Sequence, residues 1–326
     1  MLAFIIRRLL WLIPVLLLLS FITFGLMHIA PGGPWDTDPS RKQLDPRTEK
    51  ALNEKFGLDK PIFFNTNGNI QQPWTYLDSQ YFNYVWKIVR YGDFGPSYRR
   101  RGVDVVDILK QGVPYSLKLG LMAFAWSVTF GILIGITAAL HQNTWVDYVS
   151  LFSATILRST PTFVLGILLI IVFASTLKWV SVIQEDWSGI KPFILPAICL
   201  GAATAAFVAR LTRSSMLDVT RQDYIRTARA KGVGERSVVY SHMLKNALIP
   251  VVTILGPALA ALVTGSFIIE NLFGVPGIGR LFIEAINARD YSMIMATTLL
   301  YAFLVAIGNL LVDITYAFID PRIRLS

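Results

Sequence analysis

Apolar residues in this chain are gathered into runs of helix length. Residues 9–30, 119–140, 192–209, 247–269 and 291–312 contain no Asp, Glu, Lys or Arg, and residues 148–177 carry only Arg158. A helix rising 1.5 Å per residue needs about 20 apolar residues to cross a hydrocarbon core. The pattern predicts an all-α polytopic membrane protein with six transmembrane helices, the run 192–209 being slightly short. Between the first two runs lie more than eighty residues, 31–113, that read as an external domain.

Composition agrees. The chain has 326 residues, 54% hydrophobic and 16% charged, with a mean hydropathy of +0.53. Soluble proteins are about a quarter charged, so the water-soluble class is excluded. A single cysteine, Cys199, excludes an intramolecular disulfide and a Cys-based metal cluster, and the isolated His28, His141 and His242 argue against a zinc enzyme.

The basic residues orient the chain. Arg7 and Arg8 precede the first run, eight Lys or Arg lie between Arg210 and Lys245, and Arg322 and Arg324 follow the last run. With six spans these fall on one side, and the short loops opposite hold only Lys178, Lys191, Arg280 and Arg289. Basic segments resist translocation, so both termini are expected in the cytoplasm. A cleaved signal peptide is the rival reading of the first run. Its apolar stretch exceeds the usual 7–15 residues, and the exit at His28-Ile29-Ala30 lacks two small residues at the cleavage spacing. An anchor is the better expectation.

Organisation follows as residues 1–30 (N-terminus and first helix), 31–113 (extracytoplasmic domain) and 114–326 (the remaining five helices), with a cytoplasmic loop at 213–246. In the external segment Asp45-Pro46 predicts a helix start and Gly57 its end. Eleven aromatics between Phe63 and Tyr98 suit a small core, the outer membrane interface or a docking surface. In the cytoplasmic loop Thr220 and Asp223 have capping-box spacing, Ala228 and Ala230 favour helix, and Gly232 can end it in a left-handed conformation. The residues predict helix, glycine turn, helix, with Thr227, Ala228, Gly232 and Gly234 offering a partner close approach. A solvated basic loop that only sets topology is the plainer reading of the same composition.

Two stretches in this loop carry a family resemblance. Tyr224-Ile225-Arg226-Thr227-Ala228-Arg229-Ala230-Lys231-Gly232 and His242-Met243-Leu244-Lys245-Asn246-Ala247-Leu248-Ile249-Pro250 resemble the EAA loop of binding-protein-dependent ABC importer permeases, most of all the oligopeptide, dipeptide and nickel branch. Arg226-Thr227-Ala228 stands for the Glu-Ala-Ala triplet, so no salt bridge from the missing Glu carries over. His242 and Lys245 occupy slots where the general pattern has Ile and Pro. Phe56-Gly57-Leu58-Asp59-Lys60-Pro61, Gly92-Asp93-Phe94-Gly95-Pro96-Ser97-Tyr98, Phe273-Gly274-Val275-Pro276-Gly277-Ile278-Gly279-Arg280-Leu281 and Asp320-Pro321-Arg322 are similar to that branch in the same order. The basic start running into the first helix and ending Ala30-Pro31-Gly32 resembles its B-type subunit.

The resemblance implies a type I ABC importer permease in a prokaryotic inner membrane. Its implied partners are a second homologous permease, one or two ATPase subunits and an extracytoplasmic substrate-binding protein. Peptides are the implied substrate, and nucleic acid is no partner. No Lys follows Gly anywhere in the chain, so a P-loop is absent. The chain is expected to bind no cofactor and to catalyse no reaction, with ATP and magnesium belonging to the ATPase subunits. Arg226, Thr227, Ala228, Arg229, Lys231, Gly232, Val233 and Gly234 are the implied coupling residues, with Gly232 and Gly234 turning the loop and Arg229 and Lys231 meeting acidic groups on the ATPase.

Candidates for the pathway or gate are Arg158, Pro161, Glu270, Pro276, Gly277 and Asn309. An Arg at a helix centre costs roughly 2.5–3.5 kcal/mol on insertion scales, so such residues usually face protein or water. Arg158 lines an inner vestibule, sits where the helix extends into water, or snorkels; the residues leave all three open. Pro161 predicts a kink. Residues 270–290 link the last two spans outside, with Pro276-Gly277-Ile278-Gly279 as a turn and Leu281, Phe282, Ala285 and Ile286 as an interfacial stripe, serving either as an outer gate or as a plain linker. Asn309 and Asp313 are pathway groups or structural hydrogen-bonding groups. Gly201, Ala202, Ala203, Ala205 and Ala206 predict close helix packing. A secondary transporter or channel and an intramembrane enzyme are the alternatives. The first commonly carries several embedded carboxylates where this chain offers Asp313, and the second needs a catalytic set that no run contains.

Overall fold

The computed structural model describes residues 2–35, 45–66, 68, 72–100, 102–181 and 184–319. The described elements are helical, with one isolated β-bridge between Pro96 and Asp104. Asp320-Pro321-Arg322 and Arg324 lie outside the described residues. The helices form two compact units, one of residues 1–8, 114–279 and 304–326, the other of residues 9–113 and 280–303.

Among the described residues five helices are long and apolar enough to cross a membrane: Phe4–Ile29 within α1 (Leu2–Ile29), α4 (Val105–Leu140), Lys191–Thr220 containing α7 (Ile194–Thr220), Glu235–Val263, and Tyr291–Ile314 within α13 (Tyr291–Ile319). The sixth run is broken. Helix α5 (Trp145–Ser159) is followed at 110° by Thr162–Thr176, which begins as α6 (Thr162–Leu169) and ends in a π-helical turn. Thr160 is extended because the ring of Pro161 disfavours helix in the residue before it, and Pro161 then opens α6. The kink expected at Pro161 is thus a sharp bend.

The run 247–269 is not one helix. Helix α10 (Leu244–Val263) stops where Gly265 takes φ +83°, and Ser266 caps α11 (Phe267–Phe273) by accepting from the Ile269 N–H. Hydropathy cannot register this break, because both sides are apolar; Gly265-Ser266 is its signature. The run 192–209 extends in the other direction, its helix continuing to Thr220. Thr220 therefore closes α7, its hydroxyl donating to the Met216 carbonyl at 2.7 Å, and it does not cap the next helix as its spacing to Asp223 suggests. Gln222 holds that position without a side-chain capping bond.

In the first unit α7 is central, with α5 and α10 packed along it. Its small residues Gly201, Ala202, Ala205 and Ala206 are buried as expected, whereas Ala203 is exposed. The matching face belongs to α4. Ser127 donates to the carbonyls of Ala123 at 2.6 Å and Gly201 at 2.8 Å, and a Cβ at Gly131 or Gly135 would strike Val208 or Thr212 and the backbone of α7. Ser127, Gly131 and Gly135 recur every four residues, the spacing that brings membrane helices into close van der Waals contact.

The second unit gathers the segment after α1 around the aromatic rings of Phe24, Phe63, Tyr81 and Phe82. Helices α2 (Pro46–Phe56) and α3 (Gln80–Tyr91) end on Gly57 and Gly92, both left-handed, the first as the sequence predicts. Tyr81 shares a 2.9 Å hydrogen bond with Ser20, and Ser97 bonds Asp290, so residues 31–113 share their core with residues 9–30 and 280–303. Desolvation pushes the Tyr98 phenol up to about 12. Trp74, Trp86 and Tyr91 remain exposed, so the eleven aromatics divide between core and surface.

Gly201→Val is expected to push α4 and α7 apart, since its Cβ already meets the Ala123 carbonyl oxygen at 2.7 Å. A loss of about 1–3 kcal/mol should appear as a lower melting temperature in detergent, while Ala203→Val at the exposed neighbour leaves it unchanged.

Candidate functional site

Helix α8 (Asp223–Ala230) follows α7 after a two-residue turn. Ile225 and Ala228, three apart and so on one face, are buried, while Arg226, Thr227 and Arg229 face outward. The helix ends in a Schellman arrangement: the Gly232 N–H donates to the Arg229 carbonyl at 2.9 Å and the Val233 N–H to the Ala228 carbonyl at 3.2 Å. Gly232 has φ +78° with nothing near its hypothetical Cβ, so glycine is needed there for backbone conformation and not for space. Gly234, by contrast, has φ −58° in open surroundings; the turn belongs to Gly232 alone. The chain then re-enters helix through α9 (Glu235–Ser237) and a π-helical turn, Val238–Met243, that runs into α10.

The hairpin has a firm seat. Ile225 and Ala228 pack with Ile136 of α4, Met216 of α7, and Val238, Val239, Met243 and Ala247, with Val233 half-buried at the edge. The Asn246 amide donates to the Tyr224 hydroxyl at 2.8 Å. Arg229 forms a two-pronged bond with Glu235 at 2.7 and 3.2 Å across the glycine turn, which raises the guanidinium pKa further. Ala228 belongs to the chain's own core, and Arg229 is satisfied within the hairpin. Arg226, Thr227, Lys231, Gly232 and Gly234 remain on the exposed rim.

A buried ion pair above the hairpin escaped the sequence reading. Asp147, in the first turn of α5 and 1% exposed, takes both prongs of Arg213 on α7, one at 2.7 Å, and accepts the Asn143 N–H at 3.0 Å. Residues 66 apart along the chain give no local signal of such a pair.

The pathway candidates do not form one site. Arg158 stands at the end of α5 with its guanidinium 5.1 Å from the centre of the Phe207 ring. Glu270 is fully buried on α11, where it accepts the Gly279 N–H at 2.8 Å. Gly277 lies so close to it that a Cβ would strike the carboxylate, and the Ser116 hydroxyl accepts the Ile278 N–H at 2.8 Å beside it. Pro276 introduces this turn, half-buried, ahead of α12 (Ile278–Ala288). Asn309 is exposed on α13, and Asp313 forms an ion pair with Arg8 at 2.6 Å, off the alignment of a hydrogen bond. Among the described residues no three His, Cys, Asp or Glu side chains lie together as a metal site requires.

Arg213→Met strands Asp147 without its cation and is expected to cost roughly 3–5 kcal/mol, whereas Asp147→Leu with Arg213→Met recovers most of that loss. Unfolding of the four proteins in detergent, treated as a double-mutant cycle, measures the coupling.

Residues 131–325 match the family described as binding-protein-dependent transport system inner membrane component, and residues 1–120 match the N-terminal component of such membrane proteins. Over 310 residues the chain is 39% identical to the dipeptide transport system permease protein DppB of Bacillus subtilis (strain 168), covering 95% of this chain and 94% of that one. It is 40% identical over 326 residues to the oligopeptide transport system permease protein OppB of Escherichia coli (strain K12), covering 99% and 100%. Among solved structures it is similar in fold to the MetNI methionine ABC transporter in inward-facing conformations, with a TM-score of 0.52 at 19% identity over 66% of this chain and 97% of that one. The helical architecture and two family matches that together reach from one end of the chain to the other place this protein among the inner-membrane components of binding-protein-dependent transport systems.

Proposed function

We propose that this chain is a permease subunit of an ATP-driven importer that takes up peptides. It crosses a prokaryotic inner membrane six times, the bent pair α5–α6 counting as one span, with both termini in the cytoplasm and residues 31–113 outside. It forms the translocation path with a second permease and receives peptide from an extracytoplasmic binding protein. One or two ATPase subunits, which carry the ATP and magnesium, grip the hairpin of α8 and α9. The peptide substrate rests on the relatives named for dipeptide and oligopeptide transport.

The observation that carries the coupling role is the seat of the hairpin. A groove on an ATPase can hold the rim of Arg226, Thr227, Lys231 and Gly232, while Ile225 and Ala228 are locked into the inner ends of α4, α7 and α10. A push on the rim therefore reaches the membrane helices without being absorbed by a hinge. Pro276 and Gly277 beside the buried Glu270 make a stiff outer segment suited to a gate.

A β-branched residue at the left-handed position 232 is strained by ~1–3 kcal/mol. Gly232→Val is therefore expected to leave membrane insertion intact while peptide uptake and ATPase stimulation fall together. Thr227→Trp, on the exposed rim, should do the same without touching the core and should weaken co-purification with the ATPase. Unimpaired uptake by both stably inserted variants rules out the hairpin as the coupling element.

A further inference from the structure

Two arginines on facing helices of the first unit stand without an acid to neutralise them among the described residues. Arg158 on α5 and Arg210 on α7 border an open hollow of about 680 Å³ completed by Thr155, Ser159, Phe207 and Leu211. Among the described residues neither guanidinium has a carboxylate partner. One turn further along α7, Arg213 differs sharply, because α5 supplies it with the buried Asp147. The same helix pair thus neutralises one arginine and leaves two others bare.

Arginines beside an apolar run with no carboxylate partner among the described residues need an explanation. Arg210 directly follows the charge-free run 192–209 and lies ten residues before the end of α7, about 15 Å along the helix axis. Thr155, Arg158 and Ser159 have the i, i+3, i+4 spacing of one helix face, and Phe207, Arg210 and Leu211 repeat it opposite. Hydroxyls and guanidiniums do not line up toward hydrocarbon, so this face borders water or a polar solute. The Phe207 ring holds the Arg158 guanidinium by cation–π contact, which pre-positions its planar fork. Two such forks suit a carboxylate.

We propose that Arg158 and Arg210 form a carboxylate-binding subsite of the translocation path, which takes the C-terminal carboxylate of a peptide as it crosses. This rests on the peptide-permease reading above. A peptide without an acidic side chain still has that carboxylate, so the subsite acts on peptides regardless of sequence and guides the chain end past the bend at Pro161.

The test uses the complete importer, with its second permease, ATPase subunits and binding protein, in phosphatidylcholine vesicles. Uptake of a neutral tripeptide is compared with uptake of its C-terminal amide at saturating binding protein. The wild type should favour the free acid. Arg158→Gln with Arg210→Gln should lower the free-acid-to-amide uptake ratio about tenfold, the size expected for losing a charge-assisted hydrogen bond, with ATPase activity still stimulated. If the double variant does not assemble, Arg158→Gln alone should move the ratio the same way. An unchanged ratio in an assembled variant overturns the subsite, as does an equal loss for both peptides. So does a defect that appears only when anionic lipid is added, which would assign the arginines to headgroups. A wild-type complex that imports neither peptide overturns the peptide-permease reading and the subsite with it.

Discussion

The burial of Ile225 and Ala228 is the constraint on which the rest of the first unit depends. An eight-residue helix such as α8 is too short to hold together in water on its own propensity. It persists because its apolar face closes over Ile136, Met216, Val239 and Met243. Burying two side chains of this size contributes a few kcal/mol, about the scale set by ~25 cal/mol per Å² of apolar surface. The polar fastenings, Arg229 to Glu235 and Asn246 to Tyr224, lie on the exposed side and fix the angle of the turn more than its stability. Conformation, packing and rigidity thus meet in one hairpin.

That seat would transmit little if the helices above it slid independently. The α4–α7 crossing prevents this by backbone approach, with Ser127, Gly131 and Gly135 against Gly201, Val208 and Thr212. The Asp147–Arg213 pair adds α5 to the same block by a different means. Its carboxylate is almost wholly desolvated, so the pair is held by directed bonds, and sliding by one turn would separate the charges in a medium that screens them poorly. Small-residue contact fixes the distance between helices, and the ion pair fixes their register. Both act on α7, the helix that leads directly into the hairpin.

Much of this was legible in the residues. The apolar runs locate the membrane helices, and Gly57 and Gly232 mark helix ends because glycine is the residue that accepts the left-handed geometry cheaply. Boundaries inside uniformly apolar sequence were not legible: the stop at Gly265-Ser266 falls between two hydrophobic helices, and the extension of α7 to Thr220 carries it past the polar residues that seemed to end it. The pairing of Asp147 with Arg213 and the inward turn of Ala228 depend on tertiary placement, which periodicity in one helix does not reveal. The four-residue spacing of Ser127, Gly131 and Gly135 was available in the sequence and would have located the α4–α7 contact.

The charges of the first unit separate into kinds once their surroundings are compared. Arg8 and Asp313 meet near the ends of α1 and α13 in a partly exposed pair, where water lowers both the cost and the benefit. Asp147 is buried against a partly exposed Arg213, and the pair holds register. Glu270 is enclosed by Gly265, Gly277 and Gly279, positions where any side chain would collide with the carboxylate or with the adjacent helix, so the glycines are there to let backbone close around an acid. Arg158 and Arg210 fit none of these patterns, for among the described residues they have neither a carboxylate nor an enclosing turn. A membrane protein that spends three acids on matching or caging charge and leaves two arginines facing a hollow has left that hollow positive. Its field favours an anionic group over a neutral one, and Arg158 and Ser159 place it beside the bend between α5 and α6 at Pro161.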